Sequence, residues 1–128
     1  MSANYSVEAD PPHSVIRITM SGFFTLADIA GFVEARRIAH ARLTCGPNQH
    51  ATLNDLREMK IQAQDIVTVF HAMLADPAFR SRRLAFVVGP TLARTQLMRA
   101  LDNREARCFG DQVIAEAWLT SENRAAAA

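Results

Sequence analysis

His50-Ala51-Thr52-Leu53-Asn54-Asp55-Leu56-Arg57 is the stretch on which the reading of this chain turns. Ala51 to Leu56 reads as a short strand, with Leu53 set between Thr52 and Asn54. It runs into a polar end where Asp55 and Arg57 stand close together. Helical patterns lie on both sides of it. Strands alternating with helices imply right-handed crossovers and a mainly parallel sheet. In such sheets ligands and partners are met at the carboxyl ends of the strands.

On the N-terminal side, Tyr5 to Ala9 alternates weakly and Asp10-Pro11-Pro12-His13 is turn chemistry, because both prolines fix φ and donate no hydrogen bond. Val15 to Met20 then alternates clearly, with Ile16, Ile18 and Met20 on one face, and Gly22 closes it. This predicts a hairpin. Thr25 and Asp28 form a capping box at the start of a helix that ends near Leu43. Its expected inward face is Leu26, Ile29, Ala30 and Val33, widened by Phe32, with Arg36-Arg37 suiting the negative end.

On the C-terminal side, Gln62 to Asp76 carries Ile66, Phe70, Met73 and Leu74 at helical spacing, and Asp76-Pro77 ends it. Leu84 to Val88 is a continuous apolar run, as expected of a strand covered on its two faces. Pro90 opens a third helix to about Leu101, with Leu97, Met98 and Leu101 inward. Ala106 to Phe109 is the last strand, and Gln112 to Thr120 the last helix, anchored by Ile114, Ala117 and Trp118. The order is β-β-α-β-α-β-α-β-α, with about five strands and flanking helices. Residues 1–121 make one domain, and 122–128, which end in alanines, a frayed tail.

The totals agree with this. The chain has 128 residues, enough for one core and too few for two. A net charge of +1 gives no long-range field toward nucleic acid or an anionic membrane. Two cysteines, Cys45 and Cys108, make no disulfide scaffold, and neither a signal peptide nor a membrane span is legible. The expected location is cytoplasmic.

Several short signatures resemble a known family. They are Gly22 followed by Phe24-Thr25 and a capped helix; Leu53-Asn54-Asp55; Arg83-Leu84-Ala85-Phe86-Val87-Val88; and Cys108-Phe109-Gly110-Asp111 before Ala117-Trp118-Leu119. In this order they resemble the SpoIIAA-like proteins, bacterial relatives of the STAS domain of anti-sigma-factor antagonists. The resemblance spans roughly residues 5–120. It implies a cytoplasmic, non-enzymatic module that binds a protein and is switched by phosphorylation of a serine two positions after an aspartate. Here the aspartate is Asp55, and the second position after it holds Arg57, which takes no phosphoryl ester.

The candidate partner or ligand face is the carboxyl end of the sheet: Phe23, Phe24, Asp55, Arg57, Thr91, Arg94 and Asp111. Asp55 and Arg57 present charge, or else form a surface ion pair worth ~0–1 kcal/mol. Gly89-Pro90-Thr91 with Arg94 could hold an anion at a helix start, but lacks the glycines and lysine of a phosphate loop. Phe23 and Phe24 are adjacent, so they cannot both face one side. Either one belongs in the core and the other is a candidate anchor or pocket wall, or the loop buries both. His13, His40, His50 and His71 show no metal-ligand spacing and read as structural, and no nucleophile motif is present. Arg80, Arg82 and Arg83 cluster away from this face, with Phe79 alone as a stacking platform, so nucleic acid is not expected.

These readings predict a STAS-like interaction or regulatory module without the phosphorylatable serine, needing no metal or cofactor. Its partner is another protein or a second copy of itself, as a homodimer. The alternative is a carrier of a small apolar, lipid-like ligand, held between sheet and helices by residues such as Phe24, Phe70 and Met73. A cavity of ~300 Å³ or more would favour the carrier.

Overall fold

A computed structural model describes residues 2–89 and 106–127. Strand β1 (Asn4–Asp10) turns through Pro11–His13 into β2 (Val15–Gly22), with which it pairs antiparallel. Helix α1 (Leu26–Ala41), β3 (Ala51–Met59), α2 (Gln64–Ala75) and β4 (Arg83–Val87) follow. After residues 90–105 come β5 (Ala106–Phe109) and α3 (Gln112–Ala127). The expected third helix, with Leu97, Met98 and Leu101, lies outside the described residues. The five strands stand in the order β1-β2-β3-β4-β5, and β2 to β5 are parallel.

Helices α1 and α2 share one face of the sheet, and α3 covers the other. On the first face Ile16, Ile18 and Met20 of β2 pack under Ile29 and Phe32 of α1 and Ile66 of α2. The same face continues across Leu84, Phe86 and Val88. On the second face Val15, Leu53, Ala85 and Val87 meet Ala115 and Leu119. Arg17 tethers this layer, donating to Asp10 at 2.7 Å and to Glu116 of α3 at 2.6 Å. β4 reads as a continuous apolar run because it is covered on both faces, whereas β2 alternates because its second face, with Arg17 half-buried and Thr19 exposed, is only partly covered.

Two local expectations are corrected. In α1 the inward residues are Ile29, Phe32, Arg36 and Ala39, while Leu26, Ala30 and Val33 face solvent. The box at Thr25 and Asp28 starts the helix as expected, but packing on the hairpin turns the Phe32 side inward and takes Arg36 with it. In α3 the anchors are Ala115 and Leu119, with Trp118 half-buried, whereas Ala117 and Ile114 are exposed. A small alanine permits close approach to β3 and β4, which a bulky isoleucine would prevent. The helix is assigned as far as Ala127.

Strand β3 is also longer than expected, reaching Met59 instead of ending at Leu56. Its pairing to β2 shifts between Thr19 and Ser21, which face Asp55 and Glu58. The extra residue on β3 is a bulge, which bends the strand and re-aims its side chains. Lys60 N then donates to the carbonyl of Gly22 at 3.1 Å.

Gly22 itself sits at φ +82°, and a Cβ there would run into the carbonyl oxygen of Ser2. Both the left-handed backbone and the close approach require glycine. Gly22→Ala is therefore expected to destabilise by about 1–3 kcal/mol. The urea midpoint measures this; no shift would show that the N-terminal segment yields without cost.

Candidate functional site

The carboxyl end of the sheet gathers several of the expected residues. Within β3, Arg57 forms a two-pronged pair with Asp55, Nε to Oδ1 at 2.9 Å and Nη2 to Oδ2 at 2.7 Å. The guanidinium holds the Asp55 carboxyl below its ordinary range, mainly by hydrogen bonding. Arg57 reaches on to Gln112 Oε1 at 3.4 Å, on the first turn of α3. Asp111 caps that helix, its Oδ1 accepting from the amides of Val113 at 2.7 Å and Ile114 at 3.1 Å. Asp55, Arg57 and Asp111 are thus neighbours at one corner. The pair lies within β3 and not beyond its end, since β3 runs on to Met59.

Phe23 and Phe24 divide as adjacency requires. Phe24 is fully buried, 5.7 Å from the ring of Phe70, and its amide donates to Gln62 Oε1 at 2.9 Å. Phe23 is 44% exposed just beyond β2. Val113 joins it as an exposed apolar residue at the same end, at the start of α3. Thr91 and Arg94 lie outside the described residues. Of the arginines weighed for nucleic acid, Arg83 stacks 3.9 Å from the Trp118 ring and donates to the Trp118 carbonyl, and Arg82 donates to the Gln49 carbonyl.

A second cluster lies between the sheet and helices α1 and α2. A cavity of about 150 Å³ opens there, over Thr52, Asn54 and Phe86 of the sheet and beneath Phe32, Phe70 and Met73 of the helices. Phe70 and Met73 line it as expected, while Phe24 is packed in the core beside it. Its volume is half that expected of a carrier of drug-sized ligands. Arg36 and His40 of α1 also line it.

Beside this cavity, histidines that read as isolated in sequence come together. His40 Nε2 lies 3.1 Å from His50 Nε2, and His50 Nε2 lies 3.2 Å from Ser81 Oγ, which contacts Thr52 Oγ1 at 2.5 Å. His40 Nδ1 donates to the carbonyl of Arg36 at 2.9 Å, which leaves its Nε2 facing His50, and the His50 ring also bonds the Phe79 backbone. Burial lowers both imidazoles, and that of His50 falls to about 4, helped by the charges of His40 and Arg82. Both are therefore neutral at pH 7. The available signal was positional: His40 is in the last turn of α1 and His50 precedes β3, and a helix returning along its strand brings those ends together. Among the described residues no group of three or more His, Cys, Asp or Glu converges to hold a metal.

No family model matches this chain, and no curated protein matches it. Solved structures do. One is an uncharacterised protein of the DUF3478 family with a SpoIIAA-like fold from Shewanella loihica PV-4, at 15% identity and TM-score 0.68, covering 92% of this chain and 94% of that one. Another is an anti-sigma factor antagonist from Mycobacterium paratuberculosis, at 16% identity and TM-score 0.60, with the same coverage of 92% and 94%. The chain has the SpoIIAA-like, STAS-like α/β fold. The resemblance read from the short signatures is borne out at that level. Among the described residues no helix is long and apolar enough to cross a membrane.

Proposed function

We propose that this protein is a non-enzymatic STAS-like regulatory module that binds a protein partner through the carboxyl end of its sheet, without a phosphate switch. The observation that carries the reading is the Asp55–Arg57 pair. The position two after the aspartate, where the SpoIIAA resemblance implies a phosphorylatable serine, holds a guanidinium clamped by that aspartate. The nearby hydroxyl of Thr25 is engaged in the α1 cap, donating to Asp28 Oδ2 at 2.9 Å. The similarity to an anti-sigma factor antagonist supports a protein as the partner. Exposed Phe23 supplies an apolar anchor and Arg57 a rim charge.

A photo-crosslinking residue at Phe23, compared with one at Gln49 on the opposite end of the sheet, tests this in living cells. One protein is expected to be captured from Phe23 and not from Gln49. Arg57→Glu is expected to reduce capture several-fold if the partner surface is acidic, through a slower on-rate. Equal capture at both ends would refute the face. A stoichiometric +80 Da species on Ser21, Thr25 or Thr91 in the intact mass would refute constitutive binding.

A further inference from the structure

We propose that the cavity between the sheet and helices α1 and α2 binds a small apolar carboxylate, with Arg36 as its counter-ion. Arg36 is only 9% exposed, on the inward face of a helix otherwise lined there by Ile29, Phe32 and Ala39. Burying a guanidinium is costly unless charge and hydrogen bonds compensate it. Here the compensation is incomplete. Its Nε has no hydrogen-bond partner, Nη1 reaches the Met73 carbonyl at 3.4 Å, and Nη2 is 4.0 Å from Asp76, a carboxylate at the rim of α2. The ring of Phe79, 4.4 Å from the guanidinium carbon, completes its surroundings.

The cavity wall has the matching sign. Among the described residues that line it, Arg36 and Lys60 are cationic, His40 and His71 are imidazoles, and none is acidic. The floor carries hydrogen-bonding groups where a covered sheet is normally apolar. Thr52 and Asn54 of the central strand are both buried, and the Asn54 amide reaches its nearest acceptor, the Ala85 carbonyl, only at 3.5 Å. The rest is aromatic and aliphatic, including Phe32, Phe70 and Phe86. A cavity of about 150 Å³ takes a body near the size of one substituted benzene ring or a short aliphatic chain. It has no room for a long-chain lipid. The anion must therefore be small, with one apolar end and a planar head that suits a guanidinium fork.

Calorimetry on the intact protein tests this with two probe pairs, benzoate against benzyl alcohol and hexanoate against hexanol. At least one acid is expected to bind roughly 10-fold or more tightly than its alcohol, since a charge-assisted contact separates them. Amide shifts are expected at Thr52, Asn54 and Phe86. Arg36→Met, of similar length, is expected to melt higher and to bind acid and alcohol alike. If neither acid binds, if each acid and its alcohol bind equally to the wild type, or if folded Arg36→Met keeps the preference, the proposal is overturned. The wild-type comparison decides even if Arg36→Met does not fold. None of these readouts involves the Phe23 face, so this proposal and the partner reading fail separately.

Discussion

Phe86→Ala is expected to lower the free energy of unfolding by about 3–5 kcal/mol. Phe86 is buried in β4, which is paired on both sides, with Phe86 beside Asn54 of β3 and Cys108 of β5 in register. A strand held on two sides cannot move in to fill the lost volume. The transfer free energy of the ring is therefore lost together with a cavity penalty. Phe86 also borders the existing cavity, so truncation would enlarge one void rather than open an isolated one. Urea unfolding of wild type and variant, with equal m-values, measures the difference. Val113→Ala serves as the contrast: Val113 is 77% exposed on α3, and its change should stay within ~0.5 kcal/mol. A loss below ~1 kcal/mol for Phe86→Ala would contradict the two-sided placement of β4.

Acidification is expected to remove about 3 kcal/mol of stability between pH 6.5 and pH 4, a window that opens about two units above the carboxylate range. His50 is 3% exposed and its folded pKa is lowered from 6.5 to about 4. An unfolded chain takes up that proton near pH 6.5, while the folded chain refuses it until about pH 4. Between those values the unfolded state binds more protons, so stability is complete above the window and falls as pH falls through it. At ~1.4 kcal/mol per unit, the shift corresponds to the quoted loss. His40, also lowered by burial, acts in the same direction. The charges bearing on the pair are Arg36 and Arg82, both cationic, and both oppose protonation. Asp10 and Asp55, lowered chiefly by Arg17 and Arg57, add their own loss only below their ordinary range near pH 4. Urea midpoints at pH 7.5, 5.5 and 4.5 trace the profile. His50→Gln is expected to flatten most of it. A wild-type midpoint unchanged from pH 7.5 to 4.5, or a variant that keeps the full slope, would contradict a neutral buried imidazole.

Much of the architecture was legible along the chain, because hydrophobic period and turn chemistry are local. The proline turn, the Thr25–Asp28 cap, Asp76-Pro77 and the apolar run into Val88 each act within a few residues, and each places an element boundary. The strand-helix alternation then implies a parallel sheet with an antiparallel first strand, as found. The adjacency of Phe23 and Phe24 offered the parting that the structure shows, and the closeness of Asp55 and Arg57 offered the ion pair as one of two readings. What depended on distant partners was not legible. The phase of α1 is set by the hairpin beneath it, so an arginine rather than Val33 turned inward. The alternation of Thr52 and Asn54 with Leu53 did not say what covers them; α1 and α2 do, and the two polar residues form the floor of a cavity. His40 and His50 meet because a helix and its following strand run back along each other. Burial of a charge, convergence of lone pairs and cavity volume are properties of surfaces brought together in three dimensions, and no spacing along one strand or helix encodes them.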